Sequence, residues 1–132
     1  MTNEDSTIDE LLQLNQRLLD AIMAADWETY AALCDPTLSA FELESRGQLI
    51  EGLDFHAFYF ERGAAPGPHN TTKASPHVRQ LGENAAVVCY VRLVQRLDKD
   101  GQPATTRCEE TRVWERQDDQ WRHVHFHRSM NP

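Results

Sequence analysis

The chain has 132 residues, 40% hydrophobic and 26% charged, which is one domain's worth and enough for a single core without staples. With 21 Asp and Glu against 13 Lys and Arg, the net charge of −8 argues against nucleic acid or an anionic membrane surface as main partner. No apolar run reaches membrane-spanning length.

The first predicted element is a helix over residues 7–25. Ile8, Leu11, Leu12, Leu18, Leu19, Ile22 and Met23 recur at helical spacing, Ser6 or Thr7 is placed to cap it, and residues 1–5 read as frayed. Asp26 caps a shorter helix carrying Trp27, Tyr30, Ala31 and Leu33, which Asp35-Pro36 ends. Leu38 to Glu42 reads as a short strand, with Glu42 and Glu44 on its solvent side, although Glu42 also fits a cavity mouth. Gln48 to Glu51 is a second short strand, and Leu53 to Phe60 a short helix with Asp54 as its cap. Gly63 to Asn70 is the one clear loop.

Strands follow. Thr71 to Leu81 is interrupted by Pro76, which predicts an edge or bulged strand. Ala85 to Leu97 is a long strand, apolar on both faces through Val94, and Asp98 to Gly101 turns a hairpin. Thr105 to Arg116 and Trp121 to Ser129 form a last hairpin around Asp118-Asp119. Helices first and long antiparallel strands after them predict an α+β fold of one domain, residues 1–132, with the sheet curled around the first helix.

Cys34, Cys89 and Cys108 lack metal spacing and read as reduced core thiols. With an acidic N-terminus unlike a signal peptide, they lead us to expect a cytoplasmic protein. All cations except Lys73 and Lys99 are arginines, the residue for two-pronged capture of carboxylate or phosphate.

Three of those arginines stand in apolar strand surroundings. Alternation puts Arg92 on a face with Val88, Tyr90 and Val94, Arg112 with Cys108, Glu110 and Trp114, and Arg128 with Val124 and Phe126. Whether Arg112 and Arg128 share a side depends on the last hairpin, since a slip of one residue reverses faces. A two-residue loop would pair Gln117 with Gln120; a three-residue loop, with Asp119 left-handed, would pair Arg116 with Gln120. The second sets Phe126 beside Trp114, Arg112 and Cys108, the more apolar face, and is the expected register. A lone strand arginine usually just bridges a carboxylate, and Glu110 is at hand. Three of them with one carboxylate predict instead a concave pocket that accepts a small anion.

The segments DWETYAALCDP, EGLDFHAFYFE, YVRLVQRLD and EETRVWERQDDQWRHVHFHRS resemble the association (hub) domain of calcium/calmodulin-dependent protein kinase II, nearly end to end, as a free-standing bacterial-type relative. On that resemblance we expect no accompanying kinase or calmodulin-binding segment. The resemblance implies a nuclear-transport-factor-2-like, SnoaL-like (cystatin-like) cone: a long helix held in a strongly curved antiparallel sheet. It implies self-association as homodimers that build rings, and a pocket where a histidine and arginines bind small carboxylates of hydroxybutyrate type. The matching positions are His56, Arg92, Arg112 and Arg128, with Glu110 and Tyr90 beside them. The loop GAAPGPHN and the polar stretch Lys73 to Gln80 depart from the hub pattern.

Two other chemistries compete. His123, His125 and His127 alternate on what the register makes the face opposite the arginines, and such spacing can ligate zinc, but no fourth ligand matches, so no metal or cofactor is expected. Cones of this type also host isomerases, dehydratases and cyclases, and His56 would then be the general base. The favoured reading is a non-catalytic assembly domain that binds a small anion. On it, Arg112→Ala should weaken carboxylate binding and leave the dimer intact. Apolar outer positions Val87, Cys89, Val91 and Leu93 would be covered by a partner sheet.

Overall fold

The computed structural model describes residues 3–129. Helix α1 (Asn3–Ala24) begins earlier than its capping signals suggested, so Ser6 and Thr7 lie inside it. The acidic Glu4 and Asp5 in its first turn favour that start, because carboxylates complement the positive helix end. Helix α2 (Trp27–Leu33) starts as expected: the Asp26 carboxylate accepts from the Thr29 N–H and from the Thr29 hydroxyl. Its last residue leads straight into strand β1 (Cys34–Phe41). A 3₁₀ turn (Leu43–Ser45), strand β2 (Ile50–Glu51) and helix α3 (Asp54–Phe60) follow. Asp54 is the first residue of α3 and not its cap, which is Leu53.

Strands β3 (His69–Gln80), β4 (Ala85–Leu97), β5 (Pro103–Gln117) and β6 (Gln120–Arg128) complete one sheet in the order β2-β1-β6-β5-β4-β3. The sheet is curved and unclosed, and all pairs are antiparallel except β1 on β6, a parallel pair the expected antiparallel sheet did not include. Strand β3 is the predicted edge: its register shifts between Ala74 and His77, around Pro76, with Ser75 left-handed at φ 52°. Lys73 ties this polar edge to α1, donating to the Leu12 carbonyl at 2.6 Å.

The last hairpin corrects the expected register. Asp118 and Asp119 are both left-handed (φ 50° and 65°), Gln117 pairs with Gln120, and the loop therefore has two residues. That turn matches strand twist and needs no third residue. A β-bulge then supplies the missing shift: Trp114 pairs with His123 but Val113 with His125, leaving Val124 as the extra residue. Beyond the bulge Arg112 pairs with Phe126 and Glu110 with Arg128. The arginines thus reach one side by a different route than expected, and His123 moves to their side, away from His125 and His127.

The concave face holds the core. Leu11, Leu18 and Leu19 of α1 are wholly buried with Val88, Trp114 and Phe126 of the sheet. Of the three thiols expected inside, only Cys34 is buried; Cys89 and Cys108 are half-buried. Cys89 lies on the outer face beside Thr111. No described helix is long and apolar enough to cross a membrane, and no cluster of His, Cys, Asp and Glu among the described residues has metal-site geometry.

Candidate functional site: a cavity under α3

A buried polar chain runs through the core between α1 and the sheet. It starts at Asn15, fully buried at a position where the helical spacing of α1 calls for an apolar residue. Trp114 Nε1 donates to Asn15 Oδ1 (3.0 Å), and Asn15 Nδ2 donates to the Tyr90 hydroxyl (3.0 Å). The same hydroxyl accepts from Arg112 Nε (2.9 Å) and donates to Glu110 Oε1 (2.6 Å). Arg112 Nη2 reaches Glu110 Oε1 at 3.1 Å, and Arg92 Nη1 reaches Glu110 Oε2 at 3.2 Å. Two arginines of neighbouring strands therefore share one carboxylate.

Arg112 is 1% exposed and its guanidinium also stacks over the Phe126 ring at 4.3 Å. Burial alone would raise the Glu110 carboxyl, but Arg112, Arg92 and the Tyr90 hydroxyl outweigh it and hold it at about 2, below the ordinary 4.5. Burial pushes the Tyr90 phenol up to about 12, so it stays a donor to Glu110.

The chain ends on a histidine the sequence did not place here. Arg112 Nη1 faces His123 Nε2 at 3.3 Å, and His123 Nδ1 faces Cys34 Sγ at 3.4 Å. A guanidinium only donates, so Nε2 must accept and the proton sits on Nδ1. Burial, and after it the Arg112 charge, push His123 well below its ordinary 6.5. Its neutral state thus contributes stability above pH 6.5 that is lost as pH falls, because the unfolded chain then takes up a proton the folded one refuses. Lowering the pH from 7 to 5 should reduce the unfolding free energy in urea, with a limiting slope of about 1.4 kcal/mol per unit for one proton. His125, also depressed by burial, adds in the same direction. A flat profile over that range would contradict a neutral buried His123.

In front of this network lies a cavity of about 110 Å³ lined by Ile22, Tyr30, Glu42, Glu44, His56, Tyr59, Phe60, Arg92, Arg112, Phe126 and Arg128. His56 and the three arginines predicted from the sequence all line it. Glu110 and Tyr90 stand behind the arginines and orient them. Helix α3 brings in His56, β4 Arg92, β5 Arg112, and β6 Arg128.

Glu42 takes the second of its two expected directions, into the cavity, and Glu44, expected on the solvent side, is only partly exposed and also lines it. β1 ends at Phe41, and the following turn, closed by Ser45 Oγ donating to the Glu42 carbonyl at 2.7 Å, folds both inward. Glu42 is 8% exposed and its Oε1 lies 3.0 Å from His56 Nε2. A carboxylate only accepts, so Nε2 carries a proton, while Nδ1 is buried without a partner. Arg128 is gripped by both oxygens of Glu44 and lies 4.0 Å from Glu42. Arg92 makes its remaining contact to the thioether of Met23 at 3.4 Å, and its Nε has no partner. The cavity's three arginines are matched by three carboxylates, two more than the sequence showed, so Arg112 is a core residue as much as a lining one. Its removal would disturb the core and cannot isolate a binding effect, contrary to what the sequence led us to expect of Arg112→Ala.

The sequence profile described as the calcium/calmodulin dependent protein kinase II association domain matches residues 7–132. The delta subunit of calcium/calmodulin-dependent protein kinase type II from Oryctolagus cuniculus is 47% identical over 125 residues, 93% of this chain. The chain spans only 24% of that protein's length. The solved association domain of the C. elegans kinase superposes with a TM-score of 0.91 at 43% identity, covering 96% of this chain and 98% of that one. At the level of fold alone, a nuclear transport factor 2-like superfamily protein from Salmonella enterica shares a TM-score of 0.77 at 24% identity, over 98% and 94% of the two chains. The fold is therefore the expected nuclear-transport-factor-2-like one, and the chain belongs to the calcium/calmodulin dependent protein kinase II association domain family.

Proposed function

We propose that this chain is a self-assembling hub-type domain, a homodimer or a larger ring, whose arginine-lined cavity binds a small carboxylate-type anion. Self-assembly is supported by membership of an association-domain family and by the apolar outer row Val87, Cys89, Val91 and Leu93, none of it buried within one copy. Light scattering on the pure protein tests it: a mass at least twice that of one chain is expected, and a monomer across the working concentration range would refute it.

The observation that carries the binding reading is convergence. Arg92, Arg112 and Arg128, from three adjacent strands, meet His56 at one cavity of about 110 Å³. Burial of Arg92, Arg112 and His56 away from water strengthens any charge-assisted hydrogen bond a ligand makes to them. With Nε2 committed to Glu42, His56 Nδ1 is buried without a partner and is left for a ligand carrying a hydroxyl as well as a carboxylate. Arg128, the most exposed of the three, gives the cleanest test. Arg128→Ala should weaken 4-hydroxybutyrate binding in calorimetry by about tenfold or more, the worth of a hydrogen bond to a charged group. Equal affinity in the two proteins would count against the site.

The Glu42–His56 pair favours one second reading, a small SnoaL-like enzyme with His56 as general base oriented by Glu42. Turnover of an acidic substrate that disappears in His56→Ala yet persists in Arg128→Ala would establish it.

A further inference from the structure

The three carboxylates that face the arginines are not equally committed. Glu110 is buried and accepts from Tyr90, Arg92 and Arg112. Glu42 is buried and holds His56. Glu44 differs: its side chain is 32% exposed, and its hydrogen bonds are to Arg128 alone. It stands on a short 3₁₀ turn that ends at Arg46, left-handed at φ 53°.

Glu44 also borders two hollows at once. It lines the inner cavity and a neighbouring open groove of about 230 Å³, which contains Arg96 and Arg107 and shares Arg92 and Arg128 with the cavity. Charge decides what this means. With Glu42, Glu44 and Glu110 in place, the three arginines are already neutralised, and an added carboxylate would face repulsion at short range. An anion can enter at low cost only if one of the carboxylates leaves its cation. Glu44 is the one with solvent access, a single partner and a second set of arginines beside it.

We propose that Glu44 is an internal competitor for the cavity's anion: it holds Arg128 in the ligand's place, and a carboxylate binds by displacing it towards the Arg96 and Arg107 groove. This deepens the anion-binding reading and rests on it. The exchange leaves the net charge around Arg128 unchanged, so binding is selective for ligands whose carboxylate out-competes Glu44, and weak for those that offer charge without fit. Arg107 already faces Glu109 at 3.4 Å, so Arg96 is the groove's cation that stabilises the displaced state.

Calorimetric titration with sodium acetate and with 4-hydroxybutyrate tests this on the full chain, comparing wild type, Glu44→Gln, Arg128→Ala and the double variant. Glutamine keeps the size of residue 44 and removes its charge, and thermal melts establish that each variant is folded. Glu44→Gln should bind both probes about fivefold more tightly, the worth of an ion pair at the top of the exposed range. That gain should vanish in the Arg128→Ala background, because no competition remains there to relieve. If wild type binds and Arg128→Ala weakens binding, but Glu44→Gln binds no better than wild type, the competitor role is refuted and the site survives. Weaker binding by Glu44→Gln would likewise refute it, making Glu44 a ligand contact. If neither wild type nor Glu44→Gln binds either probe, the anion site itself fails and the competitor falls with it.

Discussion

Replacing Glu110 by alanine is expected to cost about 3–5 kcal/mol of unfolding free energy, the range for removing one partner of a buried ion pair. The residue is 2% exposed and serves three donors: the Tyr90 hydroxyl, Arg92 Nη1 and the Arg112 fork. Alanine would leave two guanidiniums facing each other in a poorly screened space, with the tyrosine proton unplaced. Small domains have only about 5–15 kcal/mol in hand, so much of the margin would go. Urea unfolding followed by circular dichroism measures it; a loss under about 1 kcal/mol would place the pair in the class of exposed surface bridges. Acid supplies a second reading. The Glu110 carboxyl is held at about 2 against an ordinary 4.5, so its contribution is complete above 4.5 and is lost as pH falls towards 2. In Glu110→Gln that part of the acid sensitivity should be missing.

Trp114→Ala should be as damaging, about 3–5 kcal/mol, the usual cost of emptying a large aromatic site in a core. The indole is fully buried between α1 and the sheet, packs in a tilted arrangement at 5.3 Å from the His123 ring, and donates to Asn15. Its loss therefore opens a void and orphans the Asn15 carbonyl oxygen at the same time. Trp114→Phe separates the two effects: it retains most of the packing and should cost only the unmet hydrogen bond, about 1–3 kcal/mol. Equal losses for alanine and phenylalanine would mean that the Asn15 contact, and not volume, fastens the helix to the sheet.

The parts of this molecule that could be read beforehand are those decided by short-range pattern. Ala85 to Leu97 matched its strand end to end because its apolar run meets strong turn residues on both sides. Pro76 announced an edge strand because a missing N–H cannot serve a central ladder. Arg92 and Arg112 were recognisable from alternation alone. What alternation cannot carry is a change of phase. The bulge at Val124 comes after the hairpin turn, and nothing local in residues 121–128 distinguishes it, so His123 was assigned to the wrong face. Glu44 escaped for a similar reason, and Glu42 was left with two directions: both depend on a turn formed after the strand pattern stops. Asn15 was readable in principle, since it falls between Leu11 and Leu18 on the apolar stripe, where an amide must find buried partners.

The parallel pairing of β1 with β6 has a consequence for how the protein is made. Ser39 meets His125 across 86 residues of chain, and β6 supplies the middle of the sheet, filling the space between β1 and β5. On the ribosome, every earlier strand and all three helices among the described residues emerge before their central neighbour exists. Until it arrives, β1 and β5 each present a bare ladder edge, the surface most prone to capture by another nascent chain. Closure is a late, long-range event that waits on β6, so folding of this domain is expected to gain from chaperones that shield strand edges in the interval.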